Sequence, residues 1–199
     1  LDTIRGNHST GVVVVEPNVR AEIVKAIGTP WELLDTKKYS SAVVGSQRAL
    51  IGHNRWATKG KVTTRNAHPF EHGKIFGAHN GTLNSQSNLQ DYLDFEVDSE
   101  NIFYHMSIHG EKDTIEKING SFALTWFNEE DGTINLIRNK ERPLYTCKTL
   151  DNKTFFWASE SWMLTVALEK AGIKYGKIFD LPELKQLKIT LNKGYKDEE

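Results

Sequence analysis

Arg55, the Asn80-Gly81 pair and Asp98 are the residues whose types and spacing point to chemistry. Arg55 ends a short apolar run within Ile51–Gly60, IGHNRWATKG. A lone charge at the end of a buried strand is costly and must be paired. Its planar fork suits a carboxylate held by two parallel hydrogen bonds, either a scaffold Asp or Glu or the carboxylate of a ligand. Asn80-Gly81 lies in Ala78–Leu83, AHNGTL. The pair reads as a tight turn, because Asn-Gly favours positive φ, or as an oxyanion hole. In the second reading the Asn80 side-chain amide and the Gly81 backbone N–H both donate to one developing negative charge, and the missing Cβ lets the reacting group come close. Asp98 reads as a helix N-cap or as the partner of an ammonium. Taken together, the functional readings describe a site for a free amino acid with a reactive side-chain carbonyl.

Other candidates carry less. His53, His68, His72 and His79 invite a metal, but His68 and His72 straddle Pro69, and the chain contains no HExxH and no Cys pair. Cys147 is the single cysteine. It falls mid-strand with no helix N-terminus to lower its pKa, which reads as a buried inert thiol. Nothing matches GxSxG, a P-loop or GxGxxG. With a net charge of −1, no global field draws the chain to nucleic acid or anionic lipid, and Lys37-Lys38 and Arg138–Arg142 read as solvated surface. No apolar run is long enough to span a membrane. One unpaired cysteine and no signal peptide fit a reducing, cytoplasmic setting.

The elements around these residues follow from periodicity. The chain has 199 residues, 38% hydrophobic and 26% charged, which is enough for one well-buried domain over 1–199. Val12–Val15 predicts a buried strand, and Ala49–Trp56 a strand running into the arginine motif. Asn18–Ile27 has helical spacing at Val19, Ile23, Val24 and Ile27, and a short helical turn follows Pro30 at Trp31–Leu34. Lys74–His79 predicts a strand closing on Asn80-Gly81. Ser85–Leu93 reads as a helix. Ser99–His109 is another, capped by Asp98 or Ser99, and Asp113–Ile118 a third. Two hairpins follow, Ser121–Asn128 with Thr133–Asn139 and Leu144–Lys148 with Thr154–Ala158. A helix over Ser159–Ala171 turns Trp162, Val166 and Leu168 inward. Leu184–Asn192 is a final strand, and 193–199 a charged tail. Grouped strands with helices between them argue for an α+β fold with two mainly antiparallel sheets.

The ordered series GHNRWATKG, NAHPF, HNGTL, VDSE, NGSFAL, RPLY and FWASE, opened by RGNHSTG at Arg5–Gly11, resembles the class II glutamine amidotransferases. The resemblance spans Arg5 to the strand near Leu191. It implies a four-layer αββα sandwich of the N-terminal-nucleophile (Ntn) hydrolase type, and hydrolysis of L-glutamine to glutamate and ammonia without cofactor or metal. By the same resemblance Arg55 binds the α-carboxylate, Asp98 the α-ammonium, and Asn80 and Gly81 form the oxyanion hole. Trp56, Ala57 and Thr58 line the pocket, and His68 orders the loop beside it. The family's nucleophile is an N-terminal cysteine whose own α-amino group serves as base. Leu1 is not that residue. The expectation is therefore an upstream segment of a few tens of residues, a first strand and helix beginning with cysteine. A catalytically inactive subunit or amino-acid-binding module is the alternative. With no synthase region in the chain, the ammonia acceptor is expected on a separate partner, and oligomer formation is left open.

Overall fold

The computed structural model describes residues 6–191; the expected charged tail at 193–199 lies outside them. In chain order the elements are β1 Ser9–Val15, β2 Ala21–Ile27, α1 Pro30–Leu34, α2 Lys37–Ala42, β3 Ala49–Arg55, β4 Phe70–His72 and β5 Ile75–Ser85. Then come α3 Asp98–Lys117, β6 Asn119–Asn128, β7 Thr133–Arg138, β8 Tyr145–Lys148, β9 Phe155–Ala158, α4 Ser161–Lys170, β10 Phe179–Asp180 and β11 Leu187–Thr190. The strands form sheets of order β2-β1-β3, β10-β8-β9 and β11-β7-β6-β5-β4, and every pairing is antiparallel. The chain is thus α+β with antiparallel sheets. Three hydrogen-bonded sheets stand among the described residues where two were expected.

Strand β1 is the hub of the first sheet because it is buried on both faces. Successive side chains of a strand point to opposite faces. Val12 and Val14 accordingly pack outward with Val24, Leu33 and Tyr39. Val13 and Val15 pack inward with Ile51, Phe76, Phe127 and Leu136, joining this sheet to the five-stranded one. The other face of the five-stranded sheet is covered by α3, through Ile102, Phe103 and Met106 against Leu124 and Trp126. Cys147 is buried with Leu164 and Leu168 beneath α4. None of the helices among the described residues is long and apolar enough to cross a membrane.

Several local expectations fail where a distant partner overrides the local pattern. The helix expected at Asn18–Ile27 is strand β2, paired with β1 from Ser9↔Ile27 to Val15↔Ala21. A tight turn precedes it, with the Val19 N–H on the Glu16 carbonyl at 2.9 Å and the Glu16 N–H on the Arg20 carbonyl at 2.8 Å. The apolar spacing fits a 3.6 period, but β-branched residues beside the valine run of the central strand β1 gain more from pairing. The helix expected at Ser85–Leu93 is a series of turns ending in a 3-10 turn at Tyr92–Asp94. Side chains hold that backbone away from helix: Ser85 Oγ accepts from the Ser87 N–H at 3.1 Å, and Asn101 Nδ2 donates to the Gln90 carbonyl at 2.8 Å.

The helices expected at Ser99–His109 and Asp113–Ile118 are one element, α3, broken by non-helical backbone at Gly110. Its N-cap is Val97 and makes no side-chain cap, so neither Asp98 nor Ser99 is the cap. In α4 the inward residues are Leu164 and Leu168, while Trp162 and Val166 are 38% and 39% exposed. The hairpin β6–β7 turns through Asp131-Gly132 as expected. Gly132 sits there at φ 68°, and a Cβ on it would lie 3.0 Å from Val19 Cγ1. Gly132→Ala is expected to cost about 1–2 kcal/mol, read as a lowered urea midpoint. An unchanged midpoint would show that the turn tolerates a left-handed alanine.

Candidate active site

Arg55 ends β3, and its side chain is buried. Among the described residues no carboxylate stands within ion-pair distance of it. Its guanidinium instead reaches the following loop, donating from Nη1 to the Lys61 carbonyl at 3.1 Å and from Nη2 to the Lys59 carbonyl. Burial pulls its pKa down and the neighbouring Asp98 carboxylate pushes it back up; an arginine keeps its charge under such opposition.

Asn80 and Gly81 are not a turn. They lie in the middle of β5, opposite Ala123 and Phe122 of β6, because β6 offers a partner along the whole strand and the chain has no need to reverse. Glycine is required at 81 by close approach. A Cβ there would lie 1.9 Å from the Ser121 carbonyl oxygen and 2.5 Å from His79 Nε2. His79 itself is buried, its Nδ1 2.9 Å from Ser99 Oγ and its Nε2 3.2 Å from the Ser121 oxygen.

Asp98 opens α3 and is buried. Its Oδ2 accepts from the Leu83 N–H at 2.8 Å, and its Oδ1 from the Ser99 N–H at 2.9 Å. The carboxylate is thereby fixed by β5 on one side and its own helix on the other. His68 is buried and stacks on His53 with ring centroids 4.1 Å apart. Neither ring nitrogen of His68 has a partner among the described residues. Burial lowers the pKa of His53 to about 3 and that of His68 well below its ordinary value. His79 shifts the same way, chiefly from burial, with Asp98 opposing.

Arg55, Trp56, Thr58, His68, Asn80, Gly81 and Asp98 all line one cavity of about 1520 Å³. Ala57 does not; its N–H donates to His8 Nδ1 at 2.9 Å, and the His8 ring packs 5.0 Å from that of Trp56. Further lining residues carry polar chemistry that motif reading missed, among them Lys59, Ser99 and Arg142. Lys59 stands inside the arginine motif and Ser99 beside Asp98, so proximity in sequence was the available signal; Arg142 comes from a distant loop, and its signal was its place at the head of the RPLY motif. Cys147 lies on a separate small cavity, and burial raises its pKa. Among the described residues no three His, Cys, Asp or Glu side chains are arranged to hold a metal ion.

An α+β chain of antiparallel sheets, with an arginine, an acid and an Asn-Gly pair on one cavity, is the class that fold and site define. The chain belongs to the class II glutamine amidotransferase family: the glutamine amidotransferase domain family matches residues 53–166. It is 31% identical over 137 residues to a glutamine–fructose-6-phosphate aminotransferase (isomerizing) of Legionella pneumophila, covering 60% of this chain and 22% of that protein. A Methanosarcina acetivorans protein of the same description is 30% identical over 168 residues, covering 70% of this chain and 26% of that one. The chain therefore spans about a quarter of the length of these relatives. Its fold is similar to that of the glutamine phosphoribosylpyrophosphate amidotransferase of B. subtilis, with a TM-score of 0.72 at 22% identity, covering 94% of this chain and 42% of that one.

Proposed function

We propose that this chain is the glutaminase part of an amidotransferase, hydrolysing L-glutamine to glutamate and ammonia. What supports the reading is the convergence of Arg55, Asn80, Gly81 and Asp98 on one cavity in a chain of this family. In the proposed complex Arg55 takes the α-carboxylate and Asp98 the α-ammonium. The side-chain amide then lies beside Asn80 Nδ2 and the Gly81 N–H. Trp56 and Thr58 flank the ligand, Ala57 holds their loop against His8, and His68 supports the same loop from beneath. A thiolate adds to the amide carbon, and the oxyanion so formed accepts from Asn80 and Gly81. Protonation of the amide nitrogen releases ammonia and leaves a thioester, which water hydrolyses to glutamate.

The thiolate is proposed to come from a cysteine that begins a strand upstream of Leu1. The fold offers that strand a place. Among the described residues β3 and β9 are both edge strands with one side unpaired, and both line the same large cavity. A strand between them would join the two small sheets into one, giving two sheets with helices outside, the four-layer αββα sandwich of the Ntn hydrolases. Ammonia would pass to an acceptor held by a separate synthase subunit in the cytoplasm.

The test is glutamate release from L-glutamine by the full-length protein, with mass spectrometry of its mature N-terminus. Turnover together with an N-terminal cysteine is the expected result. Glutamine binding without turnover, and without that cysteine, would make the protein an amino-acid-binding module instead.

A further inference from the structure

Asp98 is the only acidic side chain among the described residues that line the cavity, whereas Arg48, Arg55, Lys59, Arg142 and Lys153 all contribute cations. Lys59 is the cation placed on the acid. Its Nζ donates to the Leu83 carbonyl at 2.7 Å and stands 3.9 Å from Asp98 Oδ2. The Leu83 N–H donates to that same Oδ2 at 2.8 Å, so one residue of β5 holds both members of the pair. The Asp98 side chain is 6% exposed and that of Lys59 38%. The acid is thus fixed, while the ammonium sits at the end of a flexible, half-exposed stem.

We propose that Lys59 determines the ligand selectivity of this site by occupying Asp98 until the ammonium of a bound amino acid replaces it. The inference rests on the glutamine reading and adds a competitor to it. An incoming α-ammonium finds no second acid among the described residues of the cavity, so it must displace Lys59 from Oδ2. A ligand that keeps the carboxylate and amide but lacks the amine has nothing to displace. It also meets a cavity lined mostly by cations, which favours a net anion. The resident lysine therefore weakens glutamine relative to its amine-free analogue and narrows the difference between them. The Lys59 carbonyl, which anchors Arg55, is backbone, so side-chain substitution leaves that anchor in place.

The experiment is calorimetric titration of the full-length protein, of Lys59→Gln and of Lys59→Arg, each with the proposed N-terminal cysteine replaced by alanine so that glutamine is not consumed, with L-glutamine and with 4-carbamoylbutanoate. Lys59→Gln is expected to bind glutamine about 1.5- to fivefold tighter, the range for an ion pair of this exposure, with no gain for the amine-free analogue. Lys59→Arg is expected to restore the wild-type ratio between the two ligands. Equal shifts for both ligands would overturn the inference, since they would mean that Lys59 acts on the carboxylate or on the fold. Unchanged glutamine affinity in Lys59→Gln would overturn it too. If none of the three folded proteins binds glutamine, the glutamine reading itself falls, and the role of Lys59 falls with it.

Discussion

Arg55→Ala is expected to lower kcat/KM for glutamine by about two to four orders of magnitude. Removing one member of a buried charge pair costs about 3–5 kcal/mol, and about 1.4 kcal/mol corresponds to one decade of rate. Two effects combine in that loss, and they can be separated. The guanidinium is proposed to grip the α-carboxylate, and it also ties the loop through the Lys59 and Lys61 carbonyls. An analogue of glutamine without the α-carboxylate, 4-aminobutanamide, distinguishes them. The wild-type protein should prefer glutamine over this analogue strongly, and Arg55→Ala should erase the preference. If the variant still discriminates, the arginine is only a loop anchor. Arg55→Lys should recover little, because one ammonium lacks the fork needed to hold two carbonyls and a carboxylate at once.

Acidification from pH 7 to pH 5 is expected to lower folding stability by about 2 kcal/mol or more, through three histidines packed around the site. Their pKa values are lowered in the fold, chiefly by burial. The unfolded chain takes up their protons near the ordinary value of 6.5, while folded His53 stays neutral down to about 3. Stability from these side chains is therefore complete above about 6.5 and declines as the pH falls toward 3. For His53 alone the loss at pH 5 is about 2 kcal/mol, a sizeable part of a typical domain's stability of about 5–15 kcal/mol. His68 and His79 act in the same direction. Carboxylates add little in this range, because their ordinary values are 3.8 and 4.5. Urea midpoints at pH 7, 6 and 5 measure the slope, and His53→Gln should reduce it by about one proton. A midpoint that does not move between pH 7 and 5 would mean that these rings are solvated and protonate freely in the folded protein.

The acid-sensitive trio illustrates what the linear chain conceals. His53 and His79 read as isolated residues, and a metal was the only joint role that their types suggested. Their packing with His68 arises because β1 brings β3 beside the His68–Pro69 backbone. A Cβ on Gly11 of β1 would lie 2.2 Å from the His68 carbonyl oxygen. The same limit left a turn open as one of two readings of Asn80-Gly81, and the strand expected at Lys74–His79 stopped short of the pair. The pair's local preference is real, but β6 was the missing information, and ten backbone positions of pairing outweigh one dipeptide's preference.

By itself the sequence determined the residue types of the site, their order, the buried valine strand, both C-terminal hairpins and the α+β class. These rest on short-range rules: side-chain alternation in strands, turn chemistry at Asp131-Gly132 and Asp151-Asn152, and functional groups whose donors and acceptors are intrinsic. Tertiary structure alone decided that Ala21–Ile27 is strand, that Asp98 is anchored by Leu83 rather than capping a helix, and that Lys59 rests on that acid. Each of these depends on a partner distant in the chain, and the free energy of pairing or burial there exceeds the local preference.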